Sequence, residues 1–283
     1  MIDTPVAWPE GARCAVLLTF DFDAETNWLG KDPGNANRPG VLSQGTYGAK
    51  VGVPSILAVL REMGRLPATF FVPGWTAERH TEKVEAIVRD GHEIGHHSYS
   101  HRPVEPTDSA GELEEMERGL EALKRTVGAR PVGYRSPSGE TSPNLFRLLT
   151  ERGFLYDSSM MDAVNPYLIS GTQRPLVELP WHWSLCDTVY ALFSIKSPRA
   201  MMTNSHILTV WSDEFRAIHE AGGLFNLIMH PQVIGRPSRL VLLRDFIRFV
   251  QGFPGAWFCT CRQVAEGFLR QSSHGGADPP VGS

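Results

Sequence analysis

The chain has 283 residues, 42% hydrophobic and 20% charged, a globular balance with enough length for one sizeable core. A formal net charge of −4 gives no electrostatic case for a nucleic-acid or anionic-membrane partner. Four cysteines (Cys14, Cys186, Cys259 and Cys261) without a CxxC spacing read as free thiols, not as a disulfide framework or a zinc ribbon. The opening MIDTPVAWPEGAR has no basic n-region and no apolar h-region, and no run reaches the roughly 18 apolar residues of a membrane helix. The expectation is a cytoplasmic protein.

In chain order, short apolar runs alternate with helical patterns. CAVLLTF (14–20), ATFFV (68–72), HEIGHH (92–97), GFLYDS (153–158), LVELP (176–180), LFNLIMH (224–230) and AWFCT (256–260) read as buried parallel strands. Between them, stretches such as VPSILAVLREMG and ELEEMERGLEALKRTVG carry apolar residues at i, i+3, i+4. Nearly every helical stretch ends in glycine, Gly128, Gly222 and Gly252 among them, the residue that suits a left-handed helix cap. Thr260 with Gln263 has capping-box spacing. Strand–helix alternation without a glycine-rich phosphate loop predicts an α/β barrel, with its site at the carboxyl ends of the strands. Residues 1–271 read as a single domain and 272–283 as a flexible tail. The segment 27–53, rich in Gly, Pro and Asn, reads as a long functional loop, a lid or an interface.

Four groups fall at the carboxyl ends of these strands. Asp21 and Asp23, two apart in an extended chain, point to the same side. Paired acids need a cation or donors to compensate them; the plainer reading is two solvated loop aspartates. His97 and His101, at i, i+4, can share one face of a helical turn and chelate an ion. One aspartate would complete a three-ligand set with open positions. Arg135, in GYRSPSG, can hold a carboxylate with two hydrogen bonds, although most arginines are surface residues. His230 ends an apolar strand, where a core histidine is the plainer reading. One such placement is unremarkable; four together point to a site.

These residues resemble the polysaccharide-deacetylase (NodB-homology) family, motif by motif, over nearly the whole chain. The family's TFDD motif corresponds to Thr19-Phe20-Asp21-Phe22-Asp23, its HSxxH motif to His97–His101, its arginine motif to Arg135, and its late leucine–histidine motif to Ile228-Met229-His230. Phe22 separates two aspartates that the family usually has adjacent. That spacing, with Trp28-Leu29-Gly30 and Gly235-Arg236-Pro237, looks like a cytoplasmic branch of peptidoglycan deacetylase-like proteins, allantoinases and cyclic imide hydrolases.

The resemblance implies a deformed (β/α) barrel of about seven or eight strands. It implies a divalent metal on Asp23, His97 and His101: zinc, or cobalt, nickel or manganese. It makes Asp21 the general base, with Arg135 orienting it and His230 protonating the leaving nitrogen. Either Asp157 or Asp187 would orient His230. Trp28, Trp183 and Asp187 are candidate substrate contacts, against aromatic core packing for the tryptophans. His182 reads as structural, and His80, His206 and His219 as surface residues. The expected reaction is metal-dependent hydrolysis of a non-peptide carbon–nitrogen bond in a small soluble amide, cyclic amide or imide. Deacetylation of an N-acetyl sugar or a peptidoglycan- or chitin-type oligosaccharide is the alternative, and a non-catalytic metabolite-binding barrel the remote one. The branch further suggests a homo-oligomer, a tetramer in particular.

Overall fold

The computed structural model describes residues 6–128, 130–194 and 198–274. Nine strands form one sheet: β1 (Cys14–Asp21), β2 (Thr69–Val72), β3 (Glu93–His96), β4 (Gly133–Tyr134), β5 (Tyr156–Asp157), β6 (Tyr167–Leu168), β7 (Val177–Glu178), β8 (Leu224–Met229) and β9 (Ala256–Cys259). Their order is β6-β7-β5-β4-β3-β2-β1-β8, with β9 also paired to β1. Every pairing is parallel except that of β6 with β7. A parallel bridge from Cys186 to Ile228 joins β8 to the chain beyond β7. The fold is the expected deformed barrel.

The deformation lies at β1. One edge runs along β8 from Ala15 to Phe20. The other is shared: Cys14–Leu17 pairs with β9 and Thr19–Asp21 with β2. The strand is therefore buried along its whole length. Strands β4 and β6 lie outside the runs read as strands. Each is two residues long, too short for a periodic pattern to register.

Strand alternation explains where the site forms. In β1, Cys14, Val16, Leu18 and Phe20, followed by Phe22, pack outward among helix residues such as Ile56, Trp211, Phe215 and Phe246. Ala15 and Leu17 face the barrel interior with Phe71, Tyr156 and Val177. Thr19, Asp21 and Asp23 have the parity of Ala15 and Leu17, so the inner face turns from apolar to acidic towards the carboxyl end. In β8, Leu224 belongs to the interior group, while Phe225, Leu227 and Met229 pack outward. Asn226, Ile228 and then His230 continue the parity of Leu224.

The segment 27–53 differs from expectation. It contains helical turns at Thr26–Leu29 and Pro33–Asn37, then helix from Pro39 through a wide turn at Gly48–Gly52 into Val53–Glu62. Its Gly, Pro and Asn residues break the periodic pattern, although prolines at first-turn positions are compatible with helix starts. The helix Ser109–Val127 ends on Gly128 at φ 66°, as expected, but Gly252 sits at φ −73°. The Thr260–Gln263 capping box forms in both directions, with N–H···O distances of 2.8 and 3.2 Å. The last helix runs to His274, so it includes the first residues of the expected tail; 275–283 lie outside the described residues. No helix among the described residues is long and apolar enough to cross a membrane.

Candidate metal and acid–base site

Asp21, Asp23, His97, His101, Arg135 and His230 converge at the carboxyl end of the barrel and line one cavity of about 260 Å³. The expected cluster is assembled from four parts of the chain.

Asp23 is the centre. His97 Nε2 and His101 Nε2 lie 3.5 and 3.6 Å from its Oδ1, and His230 Nε2 lies 3.9 Å from its Oδ2. Oδ1 is buried and accepts no hydrogen bond. Burial pushes the Asp23 carboxyl up, with His230 and His97 only partly offsetting it. An orphaned carboxylate oxygen facing two imidazole nitrogens is a donor set that fits a divalent cation. His97 Nδ1–H donates to the Arg135 carbonyl at 2.7 Å, which leaves Nε2 as the free lone pair. Burial holds His101 well below its usual pKa, in the neutral form that can ligate.

The two histidines do not share a helical turn. His97–His101 is a tight non-helical loop with Ser98 at φ 60° and His101 at φ 58°. Left-handed backbone at non-glycine residues must be held by its surroundings. Here Glu115, from the helix Ser109–Val127, accepts from the Tyr99 and Ser100 N–H groups at 3.1 and 2.7 Å. The Ser98 hydroxyl accepts from the His101 N–H at 3.0 Å. Gly30 lies against the far side of this loop: a Cβ there would sit 2.2 Å from the His101 carbonyl oxygen. Ala24, beside Asp23, is likewise left-handed at φ 50°, and Thr76 donates to the Asp23 carbonyl at 2.7 Å.

Asp21 has a different environment. The buried Arg135 donates to its Oδ1 at 2.8 Å, to Thr19 Oγ1 at 3.0 Å and to Ser158 Oγ at 3.0 Å. The Arg135 guanidinium also stacks 4.1 Å over the Phe71 ring. Burial would raise the Asp21 carboxyl, but Arg135, then His97 and His230, outweigh it and hold it below its usual value. Its free Oδ2 faces His230 Nε2 at 3.8 Å and His97 Nε2 at 4.0 Å.

His230 is oriented by Asp187, which accepts from Nδ1 at 2.7 Å and from the His230 backbone N–H at 2.9 Å. Burial opposes protonation of the ring, but Asp187 and then Asp23 and Asp21 raise it to about 9. Asp187 thus lies behind His230 and does not line the cavity. Asp157 is elsewhere, bonded to Ser159 and set beside Glu178.

Of the remaining candidates, Trp183 lines the cavity with its ring against Trp181, but Trp28 does not. Asn27 and Lys31, one helical turn apart, take the wall instead. His182 caps the turn at Trp183–Leu185, a structural role. His80 is not a surface residue: it pairs with Glu25 at 2.7 Å. Sequence reasoning missed Gln232, whose Nε2 approaches Asp23 Oδ2 at 3.4 Å, and Asn226 under Arg135. Strand parity with His230 could have flagged Asn226; Gln232 lies in the helical turn Pro231–Ile234 and carried no such signal.

Comparison with known proteins shows the family and the fold. The polysaccharide deacetylase family profile matches residues 41–156. A peptidoglycan deacetylase of Helicobacter pylori is 30% identical over 91% of this chain and 97% of its own length. A peptidoglycan deacetylase-like protein of Gibberella zeae is 26% identical, covering 94% of this chain and 89% of that one. A Mycobacterium smegmatis crystal structure assigned to the polysaccharide deacetylases superposes with a TM-score of 0.92 at 40% identity, over 100% of this chain and 98% of that one. An allantoinase crystal structure superposes with a TM-score of 0.83 at 24% identity, covering 95% of both, and shares the fold.

Proposed function

The chain belongs to the polysaccharide deacetylase family of carbon–nitrogen hydrolases, and from that premise we propose that it is a metal-dependent N-deacetylase acting on an N-acetylated amino sugar. One observation carries the proposal: a buried Asp–His–His set with an unsatisfied carboxylate oxygen shares a cavity with an arginine-held aspartate and an aspartate-held histidine. Full-length likeness to a peptidoglycan deacetylase supports the acetamido substrate over the cyclic amide expected first.

Asp23, His97 and His101 would hold the metal, with zinc the preferred ion for two imidazoles and a carboxylate. A bound divalent ion supplies Lewis acidity, lowering the pKa of water and polarising the amide oxygen. The chain's own residues do the rest. Asp21, kept ionised by Arg135, takes a proton on Oδ2 as water attacks the amide carbon. Its Oδ1 stays bonded to Arg135, which fixes the carboxylate plane. His230 carries a proton on Nε2 into the cavity and gives it to the leaving nitrogen. Asp187 keeps Nδ1 occupied, so Nε2 is the reacting atom. Trp181 and Trp183 form an apolar wall that limits water beside the reacting groups.

A second reading, ring opening of a small cyclic amide or imide, is supported by cavity size. A cavity of about 260 Å³ has room for one ring. The test is acetate release from N-acetylated mono- and oligosaccharides, beside ring opening of succinimide, hydantoin and allantoin, before and after chelation. Chelator-sensitive acetate release supports deacetylation. Ring opening alone replaces it with the second reading, and activity that persists without metal removes the metal assignment.

A further inference from the structure

The cavity contains more positive charge than its own acids neutralise. Among the described residues, its acidic lining consists of Asp21 and Asp23. Arg135 holds Asp21 at 2.8 Å, and His230, itself paired with Asp187 at 2.7 Å, faces both acids within 3.9 Å. A divalent cation would add to this positive balance.

Two more cations line the same cavity from different parts of the chain: Lys31, just beyond the turn that follows β1, and Arg199, in the segment before the helix Asn204–Ala221. Lys31 Nζ donates to the neutral Asn27 side chain at 2.9 Å. Neither cation forms an ion pair among the described residues. Cations without acids in a concave site walled by Trp181 and Trp183 create a positive potential that attracts an anion.

We infer that the cavity selects an amide carrying a carboxylate, with Lys31 and Arg199 receiving the carboxylate while the amide lies against Asp21, Asp23 and His230. This rests on the amide-hydrolase reading above and narrows its substrate class. A cavity of about 260 Å³ has room for a small molecule that carries both groups. An N-acetyl sugar with a carboxyl-bearing ether arm and an N-acetyl amino acid share this chemistry.

The experiment measures kcat/KM of the metal-loaded protein for N-acetylmuramic acid and N-acetylglycine, each against its neutral carboxamide, by acetate release. It includes a Lys31→Met/Arg199→Met double variant and a charge-keeping Lys31→Arg/Arg199→Lys variant. We expect the acid to be preferred about five- to tenfold at low salt. The preference shrinks as salt rises, approaches one in the methionine variant and persists in the charge-keeping one. Preference in the sugar pair or in the amino-acid pair tells the two sources apart. Equal rates for acid and carboxamide, or a preference that survives loss of both cations, overturn the inference while the hydrolase reading stands. Calorimetric binding of the same compounds covers the opposite case. Acid bound more tightly through the two cations, with no amide cleaved, upholds the anion site and overturns the hydrolase reading. No difference in binding, with no cleavage, overturns both.

Discussion

Two pairs of buried carboxylates stand at the carboxyl ends of strands in this barrel, and they have opposite fates. Asp21 ends β1 and Asp23 follows it; Asp157 and Glu178 end β5 and β7 and are fully buried. The first pair is surrounded by Arg135, His97, His101 and His230. The second has no cationic partner among the described residues. Glu178 Oε1 accepts from the Ser159 and Met160 N–H groups at 3.0 Å each, and its Oε2 has no partner. Burial raises Asp157 to about 6 and Glu178 well above its usual value, the latter also through repulsion from Asp157. Burial is thus common to both pairs, and Arg135, with His97 and His230 behind it, is what holds one of the four acids, Asp21, below its usual value.

Removing the partners of the first pair breaks the comparison most severely. His97→Ala is expected to lose metal and activity together, read as bound metal by elemental analysis and as turnover. A variant that stays active without metal would remove Asp23, His97 and His101 from the metal assignment. Asp21→Asn keeps the shape and removes the base. It is expected to lower kcat by about 10²–10⁴-fold with metal content unchanged. Near-normal turnover would reassign the base.

Asp187→Asn acts on His230 and is expected to cost about 10²-fold in kcat/KM. Its signature is in the pH profile. A proton donor must be protonated, so activity falls as pH rises through the His230 pKa. Burial, no longer outweighed by Asp187, then depresses that pKa, and the alkaline limb moves to lower pH. An unmoved limb would separate His230 from the acid role.

The smallest effect belongs to the uncompensated pair. For an acid whose folded pKa is raised, the folded state holds protons that the unfolded state has released. Stability therefore falls as pH rises from the unfolded value, 3.8 for Asp157, through its folded value of about 6. Glu178→Gln keeps the acceptor for Ser159 and Met160, removes one acid and supplies a donor towards Asp157. Thermal melts across pH 4 to about 7 should show a shallower decline of Tm for this variant than for the parent. An unchanged slope would mean that the two acids are already compensated. Activity should track the parent, which would set this pair apart from Asp21 and Asp23.

The sequence by itself determined the α/β alternation, most of the longer strands and the identity of the six clustered residues, because each rests on local information. Strand parity alone carries Asp21 and Asp23 to the inner face and leaves Phe22 in the outer core, so the intervening residue separates the acids along the chain and not in space. The tertiary structure decided what local pattern cannot contain. It chose Asp187 over Asp157 as the partner of His230, because 43 residues of chain must fold back before they meet. It made the His97–His101 turn a non-helical loop, held by Glu115 from a later helix. It placed Lys31 and Arg199, not Trp28, along the cavity wall. Whether a charge near a site is balanced depends on distances across the barrel, and only the packed chain sets those.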